Sequence, residues 1–169
     1  MNEVLVIDYG LCNLDSVCRA VQECGGSPAL SADPGDASRA SKLVLPGVGS
    51  FLEAVRALHA YGWFDVIRNE VETNRIPILG ICLGMQLLGS WGEEGGGASG
   101  LGLISGEVRK LETSDRSVRV PHVGWNELQQ VAESPLFEGI DDRRDFYFVH
   151  SYHFCPTDAN CVLGRTPYC

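Results

Sequence analysis

The chain has 169 residues and a net charge of −9. That length suits one domain with a sizeable core, and that charge argues against a nucleic-acid footprint, which would be basic. Hydrophobic residues make up 44% and charged residues 21%, an ordinary balance for a soluble globular protein, with no apolar run long enough to span a membrane.

The start, Met1-Asn2-Glu3-Val4, lacks a basic segment and runs straight into a strand-like stretch, so no signal peptide is expected. The seven cysteines are Cys12, Cys18, Cys24, Cys82, Cys155, Cys161 and Cys169. Their odd number and the lack of any C-x-x-C pair speak against a disulfide framework and a zinc ribbon. A reduced, cytoplasmic setting with no metal is the expectation.

Residues 4–7 form a short apolar run ended by Asp8-Tyr9-Gly10, as expected of a buried parallel strand. Leu14, Val17, Cys18 and Val21 then fall at helical spacing, and Gly25-Gly26 stops the helix. Cys18 and Cys24 read as small packing residues. Leu43-Val44-Leu45 is the second strand and runs into Pro46-Gly47-Val48-Gly49, with Ser50 as candidate N-cap. A glycine-rich turn between strand and helix is where an α/β sheet places ligand-binding backbone, although the motif alone also suits a plain turn.

Phe51, Val55 and Leu58 begin one helix, and Trp63, Val66, Ile67 and Val71 form the face of the next. His59 is assigned no role. Residues 77–81 are the third buried strand. This alternation predicts an α/β fold: a mostly parallel central sheet with helices on both faces. Residues 92–102 read as a mobile glycine-rich loop. Residues 107–111 and 125–128 alternate and read as antiparallel strands. Pro121-His122-Val123-Gly124-Trp125-Asn126 reads as the compact turn between them, residues 146–152 as one aromatic strand, and residues 161–164 as one more. No inter-domain linker is visible, so residues 1–169 are expected to form a single domain.

The third strand leads into Gly80-Ile81-Cys82-Leu83-Gly84-Met85-Gln86. Glycines two positions either side of a cysteine fit a sharp strand-to-helix turn, where larger side chains would clash. A thiol at a helix N-terminus sits near the positive end of the dipole. The following N–H, of Leu83, has no partner in the helix and can meet an oxyanion. Cys82 is therefore the candidate nucleophile, against the alternative of a buried packing cysteine. Gln86 lies one helical turn beyond it, on the same side.

Asp8-Tyr9-Gly10 with Asn13-Leu14, the Pro46-Gly47-Val48-Gly49 turn, the cysteine elbow, Pro121-His122-Val123-Gly124-Trp125-Asn126 and Tyr147-Phe148-Val149-His150-Ser151-Tyr152 occur in this order. Together they resemble the glutaminase subunits of imidazole glycerol phosphate synthase, which are class I, triad-type glutamine amidotransferases with a flavodoxin-like fold and an antiparallel C-terminal portion. The resemblance covers the whole chain. It implies that Cys82 attacks the side-chain amide of L-glutamine, and that Gly49 and Leu83 supply the oxyanion hole through a turn that switches peptide orientation. It further implies that Gly47, Gln86, Glu94, Ser151 and Tyr152 hold the substrate. Asn13, Trp125 and Asn126 would face a TIM-barrel cyclase partner in a heterodimer, with no cofactor required. For Glu94 a merely solvated loop carboxylate is the alternative, and for Trp125 it is core packing.

Two residues depart from the family pattern: Cys12 replaces a usual glycine and Asp15 a frequent basic residue. The family's triad is completed by a His-Pro-Glu segment that this sequence does not contain. His150 reads as structural or interface-lining rather than as the base. The sequence is thus expected to be C-terminally incomplete relative to the family, a fragment of a longer protein rather than an inert docking module. Service to another synthase is the remaining alternative.

Overall fold

The computed structural model describes residues 3–114 and 118–168. Met1, Asn2 and Cys169, which the sequence reading included, lie outside them. The chain opens with β1 (Glu3–Ile7), α1 (Leu14–Glu23), β2 (Ser27–Ser31), β3 (Lys42–Gly47), α2 (Phe51–Ala60), α3 (Trp63–Glu72), β4 (Ile78–Cys82) and α4 (Leu83–Leu87). The first four strands form one parallel sheet in the order β2-β1-β3-β4.

Alternation along these strands assigns their faces. Leu5, Ile7, Leu43 and Leu45 join Phe51, Leu58, Trp63 and Ile67 of α2 and α3 in the core, whereas Val6 and Val44 are buried outside that cluster. Gly26 packs against Val21 of α1 and Val4 of β1, which places α1 on that second face. Right-handed crossovers from β1 outward to β2 and from β3 outward to β4 require this opposition. The expected parallel sheet with helices on both faces is what forms.

The second half follows as β5 (Gly89–Gly92), β6 (Ala98–Ser99), β7 (Ile104–Lys110), β8 (His122–Gln130), β9 (Arg144–His150), β10 (Tyr152–Pro156) and β11 (Gly164–Arg165). They build two mainly antiparallel sheets, β10-β7-β5-β6 and β11-β8-β9, with β5 and β7 parallel.

Several expectations need correction. β2 reads Ser-Pro-Ala-Leu-Ser and carries no apolar run, because it is an edge strand that buries little. β4, expected to be buried, is the other edge of the sheet and leaves Leu79 and Ile81 exposed. The 92–102 stretch is folded rather than an open loop. It contains a 3-10 turn at Glu94–Gly96 and the short β6, and its glycines answer to packing: a Cβ on Gly92 would lie 2.6 Å from the Phe51 ring, and one on Gly100 2.3 Å from the Gly89 carbonyl. The 121–126 turn is mostly strand, since β8 begins at His122. The aromatic strand is two, broken at Ser151, with β9 pairing β8 and β10 pairing β7. Residues 159–161 form a 3-10 turn and β11 starts only at Gly164. Cys24 is exposed at the C-cap of α1 rather than packed.

Trp63 ties α3 to the sheet. Its ring is fully buried and its indole Nε1 donates to the Asp8 carbonyl at 3.1 Å, at the end of β1. Trp63→Ala removes both the packing and that bond, and is expected to cost about 3–5 kcal/mol in urea denaturation followed by far-UV circular dichroism.

Candidate active site

Cys82 ends β4 and precedes the first turn of α4, with φ 54° and ψ −116°. Among the described non-glycine residues only Arg75, Cys82 and Arg143 have positive φ. That conformation costs a side-chain-bearing residue of order 1–3 kcal/mol, and it lifts the thiol out of the sheet: Cys82 is exposed. The buried-cysteine alternative is therefore excluded.

The flanking glycines are sterically compulsory. A Cβ on Gly84 would stand 1.8 Å from the Leu45 carbonyl oxygen, and one on Gly80 2.5 Å from the Cα of Met85. The elbow closes only because α4 lies directly on the backbone of β3. Gly47 meets the same constraint, since its Cβ would lie 2.9 Å from the Gly84 nitrogen. The dipole argument fares less well. α4 has only five residues, so few peptide dipoles align behind the thiol.

Register sets Gly47 opposite Cys82, so the 46–49 turn flanks the thiol. In this structure the Val48 N–H donates to the Leu11 carbonyl at 3.0 Å, away from the thiol. Gly49 has φ +100°, a value open to glycine at little cost. Leu83 is buried as the first helical residue. Cys12 stands beneath this turn, its Sγ 3.8 Å from the Pro46 carbonyl and 3.9 Å from that of Ile7. Burial pushes the Cys12 thiol up. Asn13 is exposed as the N-cap of α1, with no side-chain capping bond, and Asp15 is exposed in the first turn.

The other residues expected to hold substrate, besides Gly47, come from three elements. Gln86 is buried, and its Nε2 donates to the Tyr152 carbonyl at 3.2 Å. Glu94 is not merely solvated: its Oε2 accepts from the Phe51 N–H at 2.8 Å. It thus caps α2 where Ser50 was expected to, Ser50 making no side-chain cap. Tyr152 is desolvated and neighbours Glu94, then Glu93, and these push its phenol up. Ser151, half-buried, gives its carbonyl to Leu111 N–H.

Behind these residues runs a chain of hydrogen bonds that sequence reading missed. Asn126 Nδ2 lies 3.5 Å from His122 Nε2, His122 Nδ1 3.1 Å from His150 Nε2, and His150 Nδ1 2.9 Å from the Tyr152 carbonyl. A carbonyl only accepts, so His150 donates to it through Nδ1. Both rings are thereby committed to partners within the fold. His150 is structural, as expected. The cross-strand pair His122–His150 was the available signal, hidden until β8 and β9 are in register.

The opposite face of β8 and β9 is apolar and open, presenting Val123, Trp125, Tyr147 and Val149. Trp125 is 72% exposed and meets Tyr147 edge-on at 5.6 Å, so core packing is excluded for it. Asn126 faces the other way, donating also to the Pro167 carbonyl at 3.1 Å. Trp125 and Asn126 therefore serve opposite faces of one strand.

Among the described residues no group is hydrogen-bonded to Cys82 Sγ, and no His/Cys/Asp/Glu cluster suits a metal ion. His59 stacks on Phe64 at 4.0 Å, and His153 neighbours Cys155. One surface depression of about 610 Å³ is lined by Val118, Arg119, Val120, Pro121, Val123 and Tyr168, and includes none of the expected catalytic or substrate residues. Among the described residues no helix is long and apolar enough to cross a membrane.

The family model described as glutamine amidotransferase class-I matches residues 5–164. Imidazole glycerol phosphate synthase subunit HisH 1 of Campylobacter jejuni is 47% identical over 150 residues, covering 89% of this chain and 74% of that one. Subunit HisH of Moorella thermoacetica is 44% identical over 168 residues, covering 99% and 78%. Among solved structures, a glutamine amidotransferase superposes with a TM-score of 0.73 at 17% identity, over 95% of this chain and 79% of that one. A putative GMP synthase subunit from Thermoplasma acidophilum gives 0.69 at 17% identity, over 100% and 75%. At that identity the structures speak for the fold alone.

Burial, and then His150, hold the His122 imidazole below its ordinary 6.5. The unfolded chain therefore takes up a proton that the folded one refuses. The stability involved is fully present above about pH 6.5 and is lost as pH falls towards the folded value. Urea midpoints are expected to drop between about pH 7.5 and pH 5.5, and to drop less in His122→Gln, which keeps a donor but does not titrate.

Proposed function

Since the chain belongs to the class I glutamine amidotransferase family, we propose that Cys82 is its nucleophile and L-glutamine its substrate. The reaction is hydrolysis of glutamine to glutamate and ammonia in histidine biosynthesis, as in the imidazole glycerol phosphate synthase subunits it resembles at 47% and 44% identity. The observation that carries the residue assignment is the exposed Cys82 at φ 54° on an elbow whose glycines admit no side chain. The thiolate adds to the amide carbon and forms a tetrahedral oxyanion. Ammonia leaves, and water hydrolyses the thioester.

Leu83 N–H and the 46–49 turn, through Gly49, stabilise the oxyanion. Gln86, Glu94, Ser151 and Tyr152 orient the amino-acid end, with Gly47 lining the floor. The carboxylate of Glu94 suits an α-ammonium group by charge, and its bond to Phe51 N–H holds it in place. Attack needs a base beside Sγ. The open edge of β4, where Leu79 and Ile81 are exposed, leaves room for one.

The ammonia passes to a TIM-barrel cyclase subunit in a cytoplasmic heterodimer. Support comes from the apolar face of β8 and β9, where Val123, Trp125, Tyr147 and Val149 lie together. Asn13, exposed at the start of α1, is assigned to the same partner on the family resemblance. Asn126 acts from behind it, by holding the strand. Residues 1–169 act as one amidotransferase domain, a reading supported by the match across residues 5–164. Neither service to a different synthase nor a purely docking role is favoured by relatives of this identity.

Covalent labelling by a chloroketone analogue of glutamine, read by intact-protein mass spectrometry, is expected to be lost in Cys82→Ala. Wild-type protein labelled no more than that variant would sink the assignment. Trp125→Asp is expected to raise the dissociation constant for the cyclase subunit at least about tenfold, by isothermal calorimetry, and to leave thermal unfolding unchanged.

A further inference from the structure

Tyr9 is fully buried, yet its hydroxyl has no hydrogen-bond partner among the described residues. A buried, unsatisfied hydroxyl costs about 1–3 kcal/mol, and a phenylalanine would fill the same space without that cost. The hydroxyl does not point into apolar packing. It lies 2.6 Å from the position a Cβ on Gly47 would occupy, under the turn that flanks Cys82. Burial, then the neighbouring Cys12 and Cys82, push the phenol well above its ordinary range, so the group is a neutral donor.

The peptide beside this donor is the one between Gly47 and Val48. Its N–H is spent on the Leu11 carbonyl at 3.0 Å. In a trans peptide the Gly47 carbonyl points the opposite way, away from the first loop. Glycine at 47 leaves one side of that peptide free to rotate, and Gly49 at φ +100° relaxes the turn beyond it. Rotation would bring the Val48 N–H round to the thiol. It would also swing the Gly47 carbonyl against the Leu11 carbonyl, acceptor to acceptor, unless a donor stood there.

We infer that Tyr9 is a positioning residue for the oxyanion turn: its hydroxyl receives the Gly47 carbonyl when the Gly47–Val48 peptide rotates, stabilising the turn that presents an extra N–H to the substrate oxyanion. This rests on the glutaminase reading of Cys82. In the resting state the hydroxyl waits unpaired, and in the rotated state it replaces the bond that Leu11 gives up. The tyrosine thus biases a two-state turn without touching substrate.

Two reagents separate this role from a structural one. A chloroketone analogue of glutamine reacts at the thiol through a tetrahedral oxyanion and needs the rotated turn. Iodoacetamide alkylates the same thiol by direct displacement and does not. In Tyr9→Phe, Cys82 labelling by the chloroketone, followed by peptide mass spectrometry, is expected to slow about tenfold, the worth of one hydrogen bond. Labelling by iodoacetamide is expected to be unchanged, and the Tm equal or higher. Equal slowing with both reagents, no slowing with either, or a lower Tm would overturn the inference. Wild-type protein whose Cys82 takes iodoacetamide but not the chloroketone would instead overturn the glutaminase reading, and this inference with it.

Discussion

The site depends on one backbone contact, the approach of α4 to β3 at Gly84 and Leu45. A methyl group there would stand 1.8 Å from the Leu45 carbonyl oxygen, closer than any packing tolerates. This contact lets the chain turn within one residue from strand to helix, and that residue is Cys82, at φ 54°. The strain of a non-glycine residue in this region, about 1–3 kcal/mol, is sustained by the elements around it. Leu83 and Leu87 of α4 are buried against the same core as Leu45 and Phe51. The thiol is exposed at this turn while Leu83 and Gly84 just after it are buried.

A second set of bonds joins this elbow to the antiparallel half. Gln86 on α4 and His150 on β9 both donate to the Tyr152 carbonyl, at 3.2 and 2.9 Å. His150 leads on to His122 and Asn126 on β8. His122 lies between the rings of Phe148 and Tyr168, with centroids 4.7 and 3.7 Å away. A fully satisfied polar network of this kind holds one arrangement more firmly than its separate bonds would. It leaves one face of β8 and β9 committed to the interior and the other open, with Trp125 and Tyr147 outermost.

Much of the first half was legible in the amino-acid order. Buried parallel strands are short apolar runs, and their helices carry an apolar stripe, so β1, β3 and α1 to α3 announce themselves; β4 carries such a run too, although as an edge strand it leaves Leu79 and Ile81 exposed. β2 does not, because an edge strand of Ser-Pro-Ala-Leu-Ser buries little and carries no run. The second half was legible in composition but not in pairing. Residues 146–152 look like one strand, yet the chain changes sheets at Ser151, a consequence of β7 and β8 claiming different partners. The 92–102 glycines look like slack, yet Gly92, Gly97 and Gly100 are close contacts with Phe51, Trp91 and the Gly89 carbonyl.

The order of residues alone marked Cys82 as the candidate nucleophile, through its G-x-C-x-G frame, and it determined the parallel fold through hydrophobic periodicity. It named Gln86 by helical spacing. Only the tertiary structure decided what each polar group faces. Glu94 caps a helix 43 residues earlier in the chain, Tyr9 waits unpaired beneath Gly47, and two histidines 28 residues apart share a bond. Periodicity reports which side of an element is buried. A hydrogen bond also needs a partner at about 3 Å, and partners distant in sequence meet only once strands are in register and helices have packed.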